Sequence, residues 1–173
     1  MKIISQVSDV LYKFEKVMAV IMMTTMLGSI ALGVAFRYVV SSPLTWTDEL
    51  AVYMLIWLTF LGGSMSVKTG RASNLDLVFD RMNLLWKRIF LVVGHLVVIA
   101  FAGIVAYMAI QWISNPSVKT QISPGLKISM FLPYLAIPFG LICLTIHSIN
   151  HLVHSFTYTE ENVEVLQEGG ESN

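Results

Sequence analysis

Charge is scarce in this chain. Only 13% of its 173 residues are Asp, Glu, Lys or Arg, about half the share a water-soluble domain carries. Four stretches, residues 17–36, 50–67, 89–113 and 130–149, contain none of the four. A charge placed mid-span costs about 2.5–3.5 kcal/mol on insertion scales, so intramembrane ionisable groups are kept mainly for function. Their lack argues against a proton relay, a pump or a small drug exporter built from this chain alone. Cysteine is represented once, by Cys143, which excludes an internal disulfide. The formal net charge is zero, so bulk charge gives no basis for nucleic-acid binding. No Gly-rich phosphate loop, His-Glu-x-x-His or Cys-x-x-Cys motif occurs. The expectation is a protein that is not an enzyme, with no catalytic residues, no metal and no cofactor.

What the chain does have is apolar length. Hydrophobic residues make up 55% of it. A bilayer core of roughly 30 Å takes about 20 apolar residues in a helix, and each charge-free stretch is long enough. The sequence predicts an all-α integral membrane protein with four transmembrane helices. The first stretch follows Lys13 and Lys16 but is longer than a signal-peptide core of about 7–15 residues, so it is expected to be a retained span. Residues 1–155 are predicted to form one four-span membrane domain, leaving no room for a second, water-soluble one.

Eight of the eleven Lys and Arg residues fall before the first span or between the second and third. The positive-inside rule then places both termini in the cytoplasm. Tyr38, Trp46, Tyr107, Trp112 and Tyr134 fall near the predicted outer interface, and Tyr12 and Trp86 near the inner one, as in an aromatic belt. Two segments show helical amphipathic spacing, residues 3–16 and 74–88. Both are expected to lie on the cytoplasmic membrane surface, unless the second runs on into span three. Residues 156–173 form an acidic tail, expected to be disordered and solvated.

A few residues stand out as candidate sites. His95 and His147 fall at similar predicted depth, where two imidazoles can ligate a b-type haem. His147 and His151 are spaced i, i+4, a possible metal pair. The plainer reading is that His95 hydrogen-bonds between helices while the others sit at the headgroups. Arg37, Asp48 and Glu49 flank the first outer connection. They form either a solvated surface pair or a partly buried Glu49 against Arg37 or a partner. Ser29 with Gly33, Gly62 with Ser66, and Ala102 with Ala106 have the spacing of close helix packing. Pro133 fits a first helical turn, whereas Pro138 is expected to be interior and to kink span four.

Taken together, these residues resemble the small membrane (Q) subunit of the tripartite ATP-independent periplasmic (TRAP) transporters. Arg37-Tyr38 resembles its Arg-Tyr signature. The segment from Leu44 through Trp46 and Glu49 to Tyr53 resembles its Trp-x-x-Glu-Leu entry to span two. Trp57 to Gly63, Ser123 to Leu126, and Pro133 through Pro138 to Gly140 continue the likeness, over roughly residues 15–155. Ala72-Ser73 stands where relatives often carry His-Ile. The resemblance implies a subunit of a bacterial inner-membrane, sodium-coupled, binding-protein-dependent uptake system for an organic acid, of the C4-dicarboxylate or sialic acid type. Its implied partners are a large multi-span membrane subunit, which carries the substrate and sodium sites, and a periplasmic substrate-binding protein, besides the lipid bilayer. This chain then binds no substrate and scaffolds the large subunit. Arg37, Trp46, Glu49, Tyr53, Trp57, Gly62, Pro133 and Pro138 become structural or partner-interface candidates. The alternative is a small bis-histidine membrane cytochrome.

Overall fold

The computed structural model describes residues 2–70 and 84–156. Six helices occur in them: α1 Lys2–Tyr38, α2 Thr45–Lys68, α3 Leu84–Ser114, α4 Pro116–Lys119, α5 Phe131–Tyr134 and α6 Ala136–Phe156. There is no strand among the described residues; one isolated antiparallel bridge joins Ile122 and Ser129. Four segments are long and apolar enough to cross a membrane, within α1, α2, α3 and the α5–α6 region. The all-α, four-span reading therefore holds.

The expected boundaries shift in three places. Residues 3–16 are not a separate helix from span one: α1 runs unbroken for 37 residues. At 1.5 Å per residue that is roughly 55 Å, well beyond the hydrocarbon core. Helix α2 starts at Thr45 rather than Leu50, so Trp46, Asp48 and Glu49 lie in its first turns. Span four is interrupted at Leu135, between α5 and α6. Pro138 has no N–H to offer the Tyr134 carbonyl, and α5 stops there. The ladder resumes one residue later with Phe139 N donating to Leu135 O at 3.2 Å. Pro138 is thus in the first turn of α6 and not interior, and Pro133 sits likewise in the short α5. Of the expected 74–88 segment, residues 84–88 belong to α3. Residues 74–83 and 157–173, and with them most of that segment and the acidic tail, lie outside the described residues.

Packing runs in a row. The strongest helix contacts pair α1 with α2, α2 with α6, and α6 with α3. Helix α6 is central: 44% of its apolar window is buried, against 11% for the edge helices α1 and α3. Ala102 and Ala106 of α3 meet Leu141 of α6, with Phe60 and Leu144 against them. Small side chains let the backbones approach. A Cβ added to Gly140 would lie 2.6 Å from Phe60 Cβ and 3.1 Å from its backbone. One added to Gly33 would lie 2.7 Å from Thr47 Oγ1, and Ser29 Oγ donates to Thr47 O at 2.6 Å. The Ser29–Gly33 and Ala102–Ala106 pairs therefore pack within this chain. Gly62 has nothing within 4 Å and opens outward.

The outer faces of the row are apolar. Val20, Leu27 and Val34 of α1 and Val97, Phe101, Ile104 and Met108 of α3 are all exposed. A monomer in water does not sustain such a surface. Exposed hydroxyls on these faces turn back to their own helix. Thr24 donates to Val20 O and Thr25 to Ile21 O, both at 2.9 Å, and Thr59 to Leu55 O at 2.8 Å. In hydrocarbon there is no water to bond instead. The chain is a multi-pass membrane protein.

The glycine contacts make a direct prediction. Gly140→Ala overpacks the α2–α6 seam and destabilises by about 1–3 kcal/mol, lowering the melting temperature in detergent. Gly62→Ala, with open space around it, leaves that temperature unchanged or raises it slightly.

Candidate functional site

The residues singled out by the sequence gather at the end of the row where α2 begins. Leu44 precedes the helix in extended conformation and supplies no side-chain cap. Thr47 Oγ1 donates to Leu44 O at 2.9 Å, tying the entry turn. The helix then presents Glu49 and Tyr53, one turn apart on one face. Tyr53 O–H donates to Glu49 Oε1 at 2.7 Å.

The other carboxylate oxygen reaches across to the connection between α4 and α5. Glu49 Oε2 accepts from the backbone N–H groups of Gly125 and Leu126, both at 2.8 Å. Hydrogen bonds to an ionised acceptor are roughly twice as strong as neutral ones. Gly125 is required by the approach: a Cβ there would lie 2.6 Å from Glu49 Oε2 and 3.0 Å from Thr45 O. The loop also braces itself. Leu126 N–H is shared with Ser123 Oγ at 3.2 Å, and Ser123 N donates to Ile128 O at 2.9 Å. Lys127 takes a left-handed φ of 57°, which tightens the turn and leaves its side chain exposed. Upstream, Asn115 caps α4 by accepting from Ser117 N at 3.2 Å. The result is a groove lined by Thr45, Asp48, Glu49, Val52, Pro124 and Gly125.

Of the two readings of Glu49, partial burial is the one found, but its partner is not Arg37. Arg37 pairs with Asp48 at 3.1 Å, with both side chains more than half exposed, a pair worth little to stability. Trp46 lies in the same corner, its Cα within 3.2 Å of a Cβ built on Gly125. Trp57 is two turns deeper, its ring centroid 5.8 Å from that of Phe139 of α6. Pro133 is buried next to Tyr134, whose ring meets Trp112 edge-on at 4.8 Å. Trp46, Glu49 and Tyr53 thus form one site, Arg37 flanks it, and Trp57, Gly62, Pro133 and Pro138 stand apart.

The histidines are arranged otherwise than the haem reading needs. His147 is fully buried and both its ring nitrogens are engaged: Nδ1 with Ser8 Oγ at 2.8 Å, Nε2 with Glu15 Oε2 at 3.0 Å. Neither nitrogen is left for iron. His95 instead stacks on His151, with centroids 5.5 Å apart and planes 7° from parallel. His151 Nε2 lies 3.1 Å from Lys68 O, so the i, i+4 pair does not converge as metal ligands. His147 is thus enclosed between α1 and α6, with no face left to lipid or water. Sequence reasoning missed Glu15 altogether. Its signal is the i, i+7 spacing of Ser8 and Glu15, which puts both on one face of the helix expected over residues 3–16.

Residues 26–157 match a family model described as tripartite ATP-independent periplasmic transporters, DctQ component. The chain is similar to the isethionate TRAP transporter permease protein DctMQ of Oleidesulfovibrio alaskensis, 25% identical over 76% of this chain and 22% of that protein. It is 30% identical to the C4-dicarboxylate TRAP transporter small permease protein DctQ of Rhodobacter capsulatus, over 56% of this chain and 43% of that one. It is 19% identical to the ectoine TRAP transporter small permease protein TeaB of Halomonas elongata, over 90% and 80%. The match thus spans about a fifth of the first relative and under half of the second.

Glu49→Gln tests the joint. The amide offers one carbonyl oxygen in place of two carboxylate oxygens, so either Tyr53 or the Gly125–Leu126 pair loses its acceptor, at about 1–3 kcal/mol. A cysteine placed at Lys127 should then be cleaved or labelled faster in the variant, and thermal stability should fall. An unchanged labelling rate would show the loop is held without the carboxylate.

Proposed function

Since this chain belongs to the DctQ-component family, the small membrane subunits of TRAP transporters, we propose that it is the stationary support of a larger translocating subunit. In this reading it takes no part in binding the transported compound. The observation that carries the proposal is how the interior ionisable groups are used. Glu49 is engaged by Tyr53 and a loop backbone, and Glu15 by His147. Each holds one part of the chain to another. What remains outward is apolar helix surface, which suits packing in lipid beside a partner.

The proposed setting is the bacterial inner membrane, with the Lys68 end cytoplasmic and the Glu49 end periplasmic. The relatives named above serve isethionate, C4-dicarboxylate and ectoine transport. A small polar organic compound, most simply an organic acid, is accordingly the proposed cargo. Sodium-coupled, binding-protein-dependent uptake is the proposed mode. A moving subunit needs a neighbour that does not tilt. A row of four helices, with α1 projecting beyond the hydrocarbon, resists tilting more than a single span does. The braced loop over residues 120–130 then offers the binding protein a surface of fixed shape. Nothing in the geometry favours the cytochrome alternative, because His147 has no nitrogen to give.

Two experiments test this. The tagged chain, extracted in mild detergent from its native membrane, should bring down a larger many-spanning subunit. In liposomes it should support uptake only together with that subunit and the binding protein. Solute flux through this chain alone would overturn the proposal. Lys127→Glu should slow uptake at limiting binding protein and leave it nearly unchanged at saturation, since a rim charge acts mainly on association rate. Equal uptake at all concentrations would remove Lys127 from the docking surface.

A further inference from the structure

The free surface of α2 is narrow. From Thr45 to Gly63 its exposed residues are Thr45, Asp48, Val52, Leu55, Thr59, Gly62 and Gly63. The rest of that stretch is buried or half-buried, with α1 and α6 packed against the helix. Steps of three and four residues alternate from Thr45 to Gly62, the repeat by which one helix follows another along a seam. A strip of that width is what a single neighbouring helix covers. The edge helices differ. Leu27, Ile30, Leu32 and Val34 all stand out on a broad face of α1, and Val97, Phe101, Ile104 and Met108 on α3. Those faces carry long apolar side chains, whereas the α2 strip carries two threonines, two glycines and a carboxylate. A Cβ added at Gly62 or Gly63 meets nothing within 4 Å. Packing within this chain accounts for neither glycine, although glycine weakens a helix relative to alanine.

A second feature lies at the outer end of the strip. Thr45, Asp48 and Val52 also line the groove that Glu49, Pro124 and Gly125 complete. The lining holds two carboxylates and no cation. Glu49 is engaged by Tyr53 and the Gly125–Leu126 backbone. Asp48 meets Arg37 at 3.1 Å through Oδ2, and its side chain stays 69% exposed. Gly70, Leu84 and Phe156 lie at the opposite end of the row, so the charges near the groove are all among the described residues. Lys119 and Lys127 are exposed on the following connection and line no part of it. The groove is acidic, and its complement is a cation.

We propose that one membrane-spanning helix of the larger translocating subunit lies along this strip, with a lysine or arginine near its outer end seated in the groove against Asp48. The inference rests on the subunit role proposed above and adds to it the face that does the binding. The middle of the partner helix is apolar and meets Val52, Leu55 and Thr59. The Thr59 hydroxyl already donates to Leu55 O at 2.8 Å, so no hydroxyl proton is left for the partner to satisfy. Opposite Gly62 and Gly63 the two backbones come closest. At the head, the apolar stem of the basic residue passes Val52 and Pro124 while its charge reaches Asp48, as long cationic side chains do where an apolar surface meets a polar one.

The test uses the intact transporter in its native membrane. A benzophenone side chain is introduced at Leu55 or Thr59 on the strip, and at Leu27 of α1 or Phe101 of α3 as controls. Light should join the strip positions, and not the controls, to one membrane-spanning peptide of the larger subunit, identified by mass spectrometry. Gly62→Leu should lower co-purification of the larger subunit about tenfold, while the melting temperature of this chain purified alone does not fall. Asp48→Lys should also lower it, and reversing the charge of the basic residue on the crosslinked peptide should restore it. Crosslinks to the larger subunit from Leu27 or Phe101, with none from the strip, would overturn the inference and leave the supporting role standing. A second copy of this chain on the strip, or lipid alone, would overturn it equally. If the unaltered chain brings down no larger subunit at all, the supporting role falls with it.

Discussion

The Glu49 carboxylate is the joint on which one end of this molecule depends. It sits at the head of α2, one turn in from Thr45, where the helix has already fixed its direction. Tyr53 holds one oxygen at 2.7 Å, so the other can face only the Gly125–Leu126 backbone. That backbone has few other ways to satisfy its N–H groups, because residues 120–130 form no extended sheet or long helix. A buried unpaired N–H costs about as much as a lost hydrogen bond. One side chain therefore settles two accounting problems, its own charge and the loop's donors. The absence of a Cβ at Gly125 is what lets them meet.

Beyond that joint, the architecture follows from where small residues lie. Gly33 and Ser29 bring α1 onto α2, Gly140 brings α6 onto α2, and Ala102 with Ala106 bring α3 onto α6. Each seam uses a different face of its helix, and α1 reaches α6 directly only where Ser8 and Glu15 meet His147. In lipid, tails are as apolar as leucine, so there is no hydrophobic gain in closing the bundle. A row is as acceptable as a ring, and it leaves more surface for neighbours.

Much of this was legible in the sequence. The four spans follow from charge-free length alone, since no soluble core demands such runs. The gathering of Trp46, Glu49, Tyr53 and Gly125 was legible only as a resemblance: spacing along the chain says nothing about which loop a carboxylate meets. Two features stayed hidden for physical reasons. Pro138 looked interior because the apolar run does not change across Leu135, and hydropathy does not register a missing hydrogen bond. Glu15 drew no notice because it stands between residues of the polar face, Lys13 and Lys16. A helix turns 100° per residue, however, and neighbours in sequence face different sides.

Glu15 also shows how the low charge of the spans should be understood. The rule that charge is excluded from hydrocarbon concerns net charge left without a partner, not ionisable atoms as such. Glu49 meets the rule with fixed backbone dipoles, whose number does not change with conditions. Glu15 meets it with the His147 ring, which closes on it at 3.0 Å. The two ends of the row are thereby held by carboxylates engaged in different ways, one by a loop backbone and one by a side-chain ring. A chain meant only to fill space beside a partner would gain by replacing the buried acid and imidazole with leucine. The hydrogen bonds from His147 to Ser8 and Glu15 admit one register of α1 against α6, a selectivity that leucine side chains do not supply.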